Sequence, residues 1–156
     1  MAPNSNIIAI DCSAAKLQLA EKLGADHTLN SKESQDIKSE IFKITEEKGV
    51  TAVIDCVGAE ETIRDSVRIL SKSGVLVVVG LFGNQIRFPL VSSVFDEIQV
   101  QCSFWGNYNE LCEVIELAKQ GKIKHTLRSF SLNAINEAIS LLRSGKVDGR
   151  AIIIPK

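Results

Sequence analysis

The chain has 156 residues, 45% hydrophobic and 24% charged, with 18 Lys and Arg against 19 Asp and Glu. That length supports one domain with a real core and is too short for two large ones. A net charge of -1 without any basic block or aromatic-basic interleaving excludes the electrostatic footprint of a nucleic-acid binder.

No apolar run approaches the length of a membrane span. The start, Met1-Ala2-Pro3-Asn4-Ser5-Asn6, is neither a basic nor an apolar leader, so the expected compartment is the cytoplasm and no membrane partner is expected.

The first element is Ile7-Ile8-Ala9-Ile10-Asp11, an apolar run that stops at a carboxylate. Such a run predicts a strand buried on both faces, as parallel sheets require. An acid at its carboxyl end stands where doubly wound nucleotide-binding folds place the acceptor for an adenosine ribose.

Ser13 is the predicted N-cap of a helix reaching about Leu23, with Leu17, Ala20 and Leu23 inward and Gly24 ending it. Asp26–Asn30 is a weak strand. A helix over about Ser34–Lys48 carries Ile37, Ile41 and Ile44 on one face and ends at Gly49. Thr51–Val57 is a strand closed by Gly58, and Glu60–Ser71 a helix through Ile63, Val67 and Leu70.

Lys72-Ser73-Gly74 is the next turn. Val75–Gly80, β-branched and free of charge, reads as the central strand. Leu81–Ser93 is irregular around Gly83, Asn84 and Pro89, and Glu97–Phe104 alternates into another strand. A helix follows at Asn107–Gly121 through Leu111, Val114, Ile115 and Ala118. A last helix spans Ser131–Arg143 with Leu132, Ile135, Ile139 and Leu142 inward, and Ala151–Ile154 is a terminal strand. Strands alternating with helices of this length predict an α/β, doubly wound, mainly parallel sheet.

Ligands of such sheets bind beyond the carboxyl ends of the strands. Three exits carry small or acidic residues: Asp11-Cys12, Val57-Gly58 and Val79-Gly80-Leu81. Glycine at two of them would let a flat ligand approach the backbone. No phosphate-binding G-x-G-x-x-G occurs, and Gly80-Leu81-Phe82-Gly83 is not one. Cys12, Cys56, Cys102 and Cys112 form no C-x-x-C pair, and His27 and His125 stand alone, so the thiols read as reduced small hydrophobes and no metal site is expected.

An ordered set of segments carries a family resemblance. Ile8-Ala9-Ile10-Asp11, Lys16, Leu23-Gly24-Ala25-Asp26, Val53–Gly58, Val78-Val79-Gly80-Leu81, and Leu141–Gly145 through Gly149-Arg150 resemble the zinc-containing alcohol dehydrogenases of the medium-chain dehydrogenase family. The resemblance runs from just before Ile7 to Pro155. It implies the C-terminal, NAD-binding portion of such an enzyme, a Rossmann-like fold without its usual first strand, glycine-rich turn and first helix.

Residues 1–156 would then be a single truncated domain, with 106–156 corresponding to the return toward the catalytic domain. The N-terminal domain that holds the family's zinc would be absent, leaving no catalytic residue and no metal ligand in this chain.

By the same resemblance, Asp11 would accept from both ribose hydroxyls and repel a 2′-phosphate, favouring NAD. Cys12 and Lys16 would border the adenosine end. Val57, Gly58, Val79, Gly80 and Leu81 would line the nicotinamide half, Ser103, Phe104 and Trp105 would meet the carboxamide, and Arg150 would pair with the pyrophosphate. NAD binding would be weak or lost and the isolated chain inactive. The family also implies a homo-oligomer through the edge strand Glu97–Phe104.

A non-catalytic nucleotide-binding or dimerisation module is the alternative, and an unrelated doubly wound domain a third. The usual order 3-2-1-4-5-6 puts the absent strand between Ile7–Ile10 and Thr51–Val57. The expectation is that these two strands pair directly, or that a strand from another segment or chain fills the place.

Overall fold

The structure is a computed structural model describing residues 5–87 and 89–155. Met1–Asn4, part of the start read above, and Phe88, inside the stretch read as irregular, lie outside the described residues. No helix among the described residues is long and apolar enough to cross a membrane.

The first unit is β1 (Ile8–Asp11), α1 (Ala14–Lys22) and β2 (His27–Asn30), the two strands pairing in parallel from Ile8 opposite His27 to Asp11 opposite Asn30. Gly24, at φ +105, reverses the chain after α1. The stripe on α1 is narrower than expected. Leu17 is buried, Ala20 half-buried and Leu23, the C-cap of the helix, exposed.

α2 (Ile37–Ile44) is shorter than its apolar pattern indicated, since Asp36 caps it and the chain leaves helical geometry at Glu46 and Glu47, both at positive φ. The second sheet is β3 (Val50–Asp55), β4 (Leu70–Val78) and β5 (Gln99–Cys102), parallel throughout, with β4 in the centre and β5 at the edge. The helix between the first two, α3 (Glu60–Ile69), buries Ile63, Ser66, Val67 and Ile69.

Its apolar face meets Leu70, Leu76 and Val78 in the core, with Val50, Val53 and Ile98 packed around them. Full burial of Ile63 or Leu76 is worth about 1.5–3 kcal/mol each.

Two local expectations change here. Lys72-Ser73-Gly74 is a bulge inside β4, because the register passes from Val50 opposite Leu70 to Ala52 opposite Val75. Part of the stretch read as irregular is a short helix, α4 (Leu90–Phe95), started by Pro89, whose φ of -71 suits a helix entry.

α5 (Tyr108–Lys119) is capped by Asn107 and has no buried residue. A third sheet pairs β6 (Leu127–Ser131) in parallel with β7 (Arg150–Ile154). A 3-10 turn and α6 (Ile135–Arg143) connect them. The strand β6 is not legible in the sequence, since Leu127-Arg128-Ser129-Phe130-Ser131 has only two apolar residues, three apart, and so lacks the alternation that marks a strand. On α6 only Ala138 is buried, while Leu132, Ile135, Ile139 and Leu142, expected inward, are exposed. A two-stranded sheet is too narrow to cover a helix face of that width.

The direct pairing of the first and third strands does not occur. β1 pairs only with β2, and β3 only with β4, so β1-β2 and β3-β4-β5 are separate sheets, and the place expected for a strand between Ile7–Ile10 and Thr51–Val57 stays an unpaired slot. α1 packs on β1 and β2, and α3 on β3 and β4, while the two units meet through α2 against α3 and not strand to strand. The unpaired edges are wet, with Ile54 68% exposed and Ile10 39% exposed, so the cost of burying orphaned backbone groups is not incurred. Among the described residues, no segment of this chain fills the slot.

Candidate functional site

The strand exits are built by the same local device. After β1, the Asp11 carboxylate turns back and accepts the Ser13 N–H on Oδ1 at 2.9 Å. After β3, Asp55 accepts the N–H groups of Val57 and Gly58 on Oδ1 at 2.8 and 2.9 Å. An aspartate that bonds the backbone two residues on is the short polar turn that ends a strand without a hairpin.

The second oxygens differ. Asp55 Oδ2 accepts the Thr62 hydroxyl at 2.7 Å from the first turn of α3, and the residue is 5% exposed. Asp11 Oδ2 faces only the Lys16 ammonium at 3.9 Å, with both side chains partly in solvent. Asp55 is therefore fully committed to holding its loop, whereas Asp11 keeps an oxygen for a ligand. Asp55 and Thr62 were not singled out from the sequence. The available signal was an acid two residues before Val57-Gly58 with a threonine seven residues on.

Gly58 and Gly80 lie backbone to backbone. Gly58 has φ +74, and a Cβ there would overlap the Gly80 carbonyl and come within 2.9 Å of the Leu81 nitrogen. A Cβ on Gly80 would in turn overlap the Val57 carbonyl and the Gly58 nitrogen. The mutual approach of the two loops is by itself enough to require glycine at both exits. Val79 and Gly80 both donate to the Asp55 carbonyl, at 2.8 and 3.0 Å, and Phe82 donates to the Val57 carbonyl at 3.1 Å. These bonds join Val57, Gly58, Val79, Gly80 and Leu81 into one ledge.

At the end of β5, the Ser103 N–H donates to the Val78 carbonyl at 2.9 Å, bringing that stretch beside the β4 exit. Phe104 and Trp105 meet edge to face at 5.9 Å between centroids and are both largely exposed, with Trp105 at φ 54. Core packing is excluded for Trp105, which is 86% exposed.

Arg150, the first residue of β7, donates its N–H to the Thr126 carbonyl at 2.9 Å. Its cleft is shared with Leu19, Leu23, Lys124 and His125, along the second half of α1. Among the described residues its guanidinium has no ion-pair partner. Cys12, Cys56, Cys102 and Cys112 are all free and exposed, which corrects their reading as packed small hydrophobes. The first three end separate strands and the fourth lies on α5, so the thiols do not form a ligand set. No group of three or more His, Cys, Asp or Glu converges among the described residues.

A family model described as zinc-binding dehydrogenase matches residues 2–120. The chain belongs to the zinc-binding dehydrogenases. An NAD-dependent alcohol dehydrogenase of Sulfurisphaera tokodaii is 36% identical over 152 residues, a match covering 97% of this chain and 44% of that relative. A D-arabinose 1-dehydrogenase (NADP(+)) of Saccharolobus solfataricus is 33% identical, with 97% and 43% covered.

Among solved structures, the alcohol dehydrogenase of Aeropyrum pernix superposes with a TM-score of 0.89 at 36% identity, over 97% of this chain and 43% of that one. The benzyl alcohol dehydrogenase of Acinetobacter calcoaceticus does so with a TM-score of 0.88 at 28% identity, again over 97% and 43%. The chain spans less than half the length of these dehydrogenase relatives. It corresponds to their C-terminal cofactor-domain portion, and its sheet is the Rossmann-like one with the position of the first strand open.

Proposed function

We propose that this chain is the cofactor-binding portion of an NAD-dependent alcohol dehydrogenase, an oxidoreductase taking an alcohol to an aldehyde or ketone. The observation that carries the proposal is the uncommitted Oδ2 of Asp11 at the β1 exit, beside a glycine ledge at the β3 and β4 exits. An ionised carboxylate with a vacant acceptor fits the two hydroxyls of an adenosine ribose, and its charge disfavours a 2′-phosphate. Relatives named for NAD and for NADP(+) match at similar identity, so the preference for NAD rests on this carboxylate.

The residues fit the two ends of the dinucleotide better than its middle. Asp11, Cys12 and Lys16 would hold the adenosine side. The ledge from Val57 to Leu81, with Ser103, Phe104 and Trp105, would hold the nicotinamide side, and Arg150 the pyrophosphate. When bound, the nicotinamide supplies the hydride acceptor. No glycine-rich phosphate loop opening a helix is present in this sequence, and such a loop provides much of the affinity. NAD binding by these residues alone is therefore weak, and alcohol oxidation by them absent. The residues do not fit a zinc site, and no step here is assigned to one.

The open sheet favours a second reading, a non-catalytic nucleotide-binding or dimerisation module. Titration with NADH separates the two, because Trp105 is the one tryptophan of the chain and stands on the nicotinamide side. Quenching of Trp105 with energy transfer to NADH, weaker with NADPH, supports the cofactor role. No change up to millimolar NADH leaves only the module. We further propose that the β5 edge pairs with a second copy. Its outward N–H and C=O groups, on Val100 and Cys102, point away from β4 because Ser103, of the opposite parity, bonds to it.

A further inference from the structure

We infer that the cleft between the second half of α1 and the starts of β6 and β7 binds a phosphate oxyanion through Lys124, His125 and Arg150. Charge is spread unevenly along the chain. Of its 18 Lys and Arg and its 19 Asp and Glu, eight and two fall within residues 119–156. The topology gathers much of this excess at one end of the third sheet. α5 leads into the start of β6, α6 leads into the start of β7, and the two strands run parallel with Leu127 opposite Arg150.

Helix ends account for part of the set. Lys22, Lys119 and Arg143 stand in the last turns of α1, α5 and α6, where a cation offsets the negative end of the helix dipole. Lys124, His125 and Arg150 belong to no helix. They share one cleft of about 300 Å³ with Thr126, and Leu19 and Leu23 wall one side of it with apolar surface. Among the described residues neither Lys124 nor Arg150 has an ion-pair partner.

The backbone beneath these groups is fixed. The Arg150 N–H donates to the Thr126 carbonyl at 2.9 Å. Gly149, at φ +77, approaches that carbonyl so closely that a Cβ there would overlap it. Two short segments are thus held side by side, with their basic side chains at one opening.

The donors suit phosphate. A guanidinium takes two of its oxygens at once, an ammonium adds a point charge, and imidazole and hydroxyl add further donors. Two permanent cations match a dianion better than a single carboxylate. The inference goes beyond the cofactor reading, which gives a phosphate to Arg150 and no role to Lys124 or His125.

The test uses inorganic phosphate, titrated into the isotope-labelled chain at fixed pH and ionic strength with acetate and chloride as controls. Saturable amide shifts by NMR are expected at His125, Thr126, Gly149 and Arg150 with phosphate alone. Arg150→Ala should weaken binding at least tenfold and Lys124→Ala at least threefold. Arg150→Lys, which keeps the charge and loses the fork, should fall between Arg150→Ala and the parent chain, and Lys48→Ala, outside the cleft, should change nothing. Asp11→Ala should bind phosphate as the parent does, so a failed cofactor reading leaves this result standing. NADH names the source, since both arms bear the site out: displacement of phosphate assigns it to a dinucleotide, and joint binding to a free phosphate. No saturation, equal shifts with acetate or chloride, or parent-like binding by Arg150→Ala would overturn the inference.

Discussion

Asp11 and Asp55 occupy equivalent places at the ends of two strands, and one hydrogen bond separates their roles. The Thr62 hydroxyl takes the second oxygen of Asp55, and no such partner reaches that of Asp11. The sequence shows both acids and cannot rank them, because the ranking depends on a side chain seven residues on and a helix away. Asp55→Ala strands the buried Gly58 N–H, and we expect a loss of about 1–3 kcal/mol by urea denaturation. Asp55→Asn keeps an acceptor at Oδ1 and loses less.

A second residue-scale effect is electrostatic. The Asp36 carboxyl lies below its ordinary 3.8, chiefly because the Ser39 hydroxyl donates to it, at 2.6 Å. A lowered folded value stabilises fully above the unfolded pKa and is lost as pH falls through the folded one. Ser39→Ala should move the acid titration midpoint of Asp36 upward, toward 3.8, in an NMR titration.

The elements divide by what covers them. α3 is buried along Ile63, Val67 and Ile69, whereas α5 buries nothing and stands on its cap. Asn107 Oδ1 accepts the N–H groups of Asn109 and Glu110, at 2.9 and 3.0 Å, while Glu110 accepts the Asn107 N–H. Its apolar stripe, Leu111, Val114 and Ile115, lies in solvent. Local opening follows burial, so amides of α5 should exchange well ahead of those of α3 in hydrogen-exchange mass spectrometry. Asn107→Ala should speed α5 further and leave α3 unchanged.

Periodicity found both helices, since pattern and propensity are local. It assigned an inward face to α6 that the described residues do not cover, because a stripe records that a surface is apolar and not what covers it. β6 is hidden for the converse reason: its five residues carry no strand period, and pairing with β7 is what makes them a strand.

For the molecule as a whole, the separation of β1-β2 from β3-β4-β5 is the main departure from direct pairing of β1 with β3. Both pairs of strands were legible, and so was the position between them. Whether the two pairs would join was not, since that is a long-range contact which local pattern does not record. The β5 edge is the other open surface. Val100→Pro removes an N–H that faces outward and spares the bonds to β4, so it should convert the proposed dimer to monomer by sedimentation velocity. A monomer at micromolar concentration before substitution would count against that dimer.

In the proposed cofactor role, Asp11 and the glycine ledge bind the two ends of one dinucleotide. Adding NADH to the isotope-labelled chain and following its backbone amides by NMR tests this most directly. Weak, saturable shifts are expected at Cys12, Ser13, Gly58, Gly80 and Leu81, with smaller ones for NADPH and loss of the shifts near Cys12 in Asp11→Ala. Shifts confined to other surfaces, or none at millimolar NADH, would contradict it.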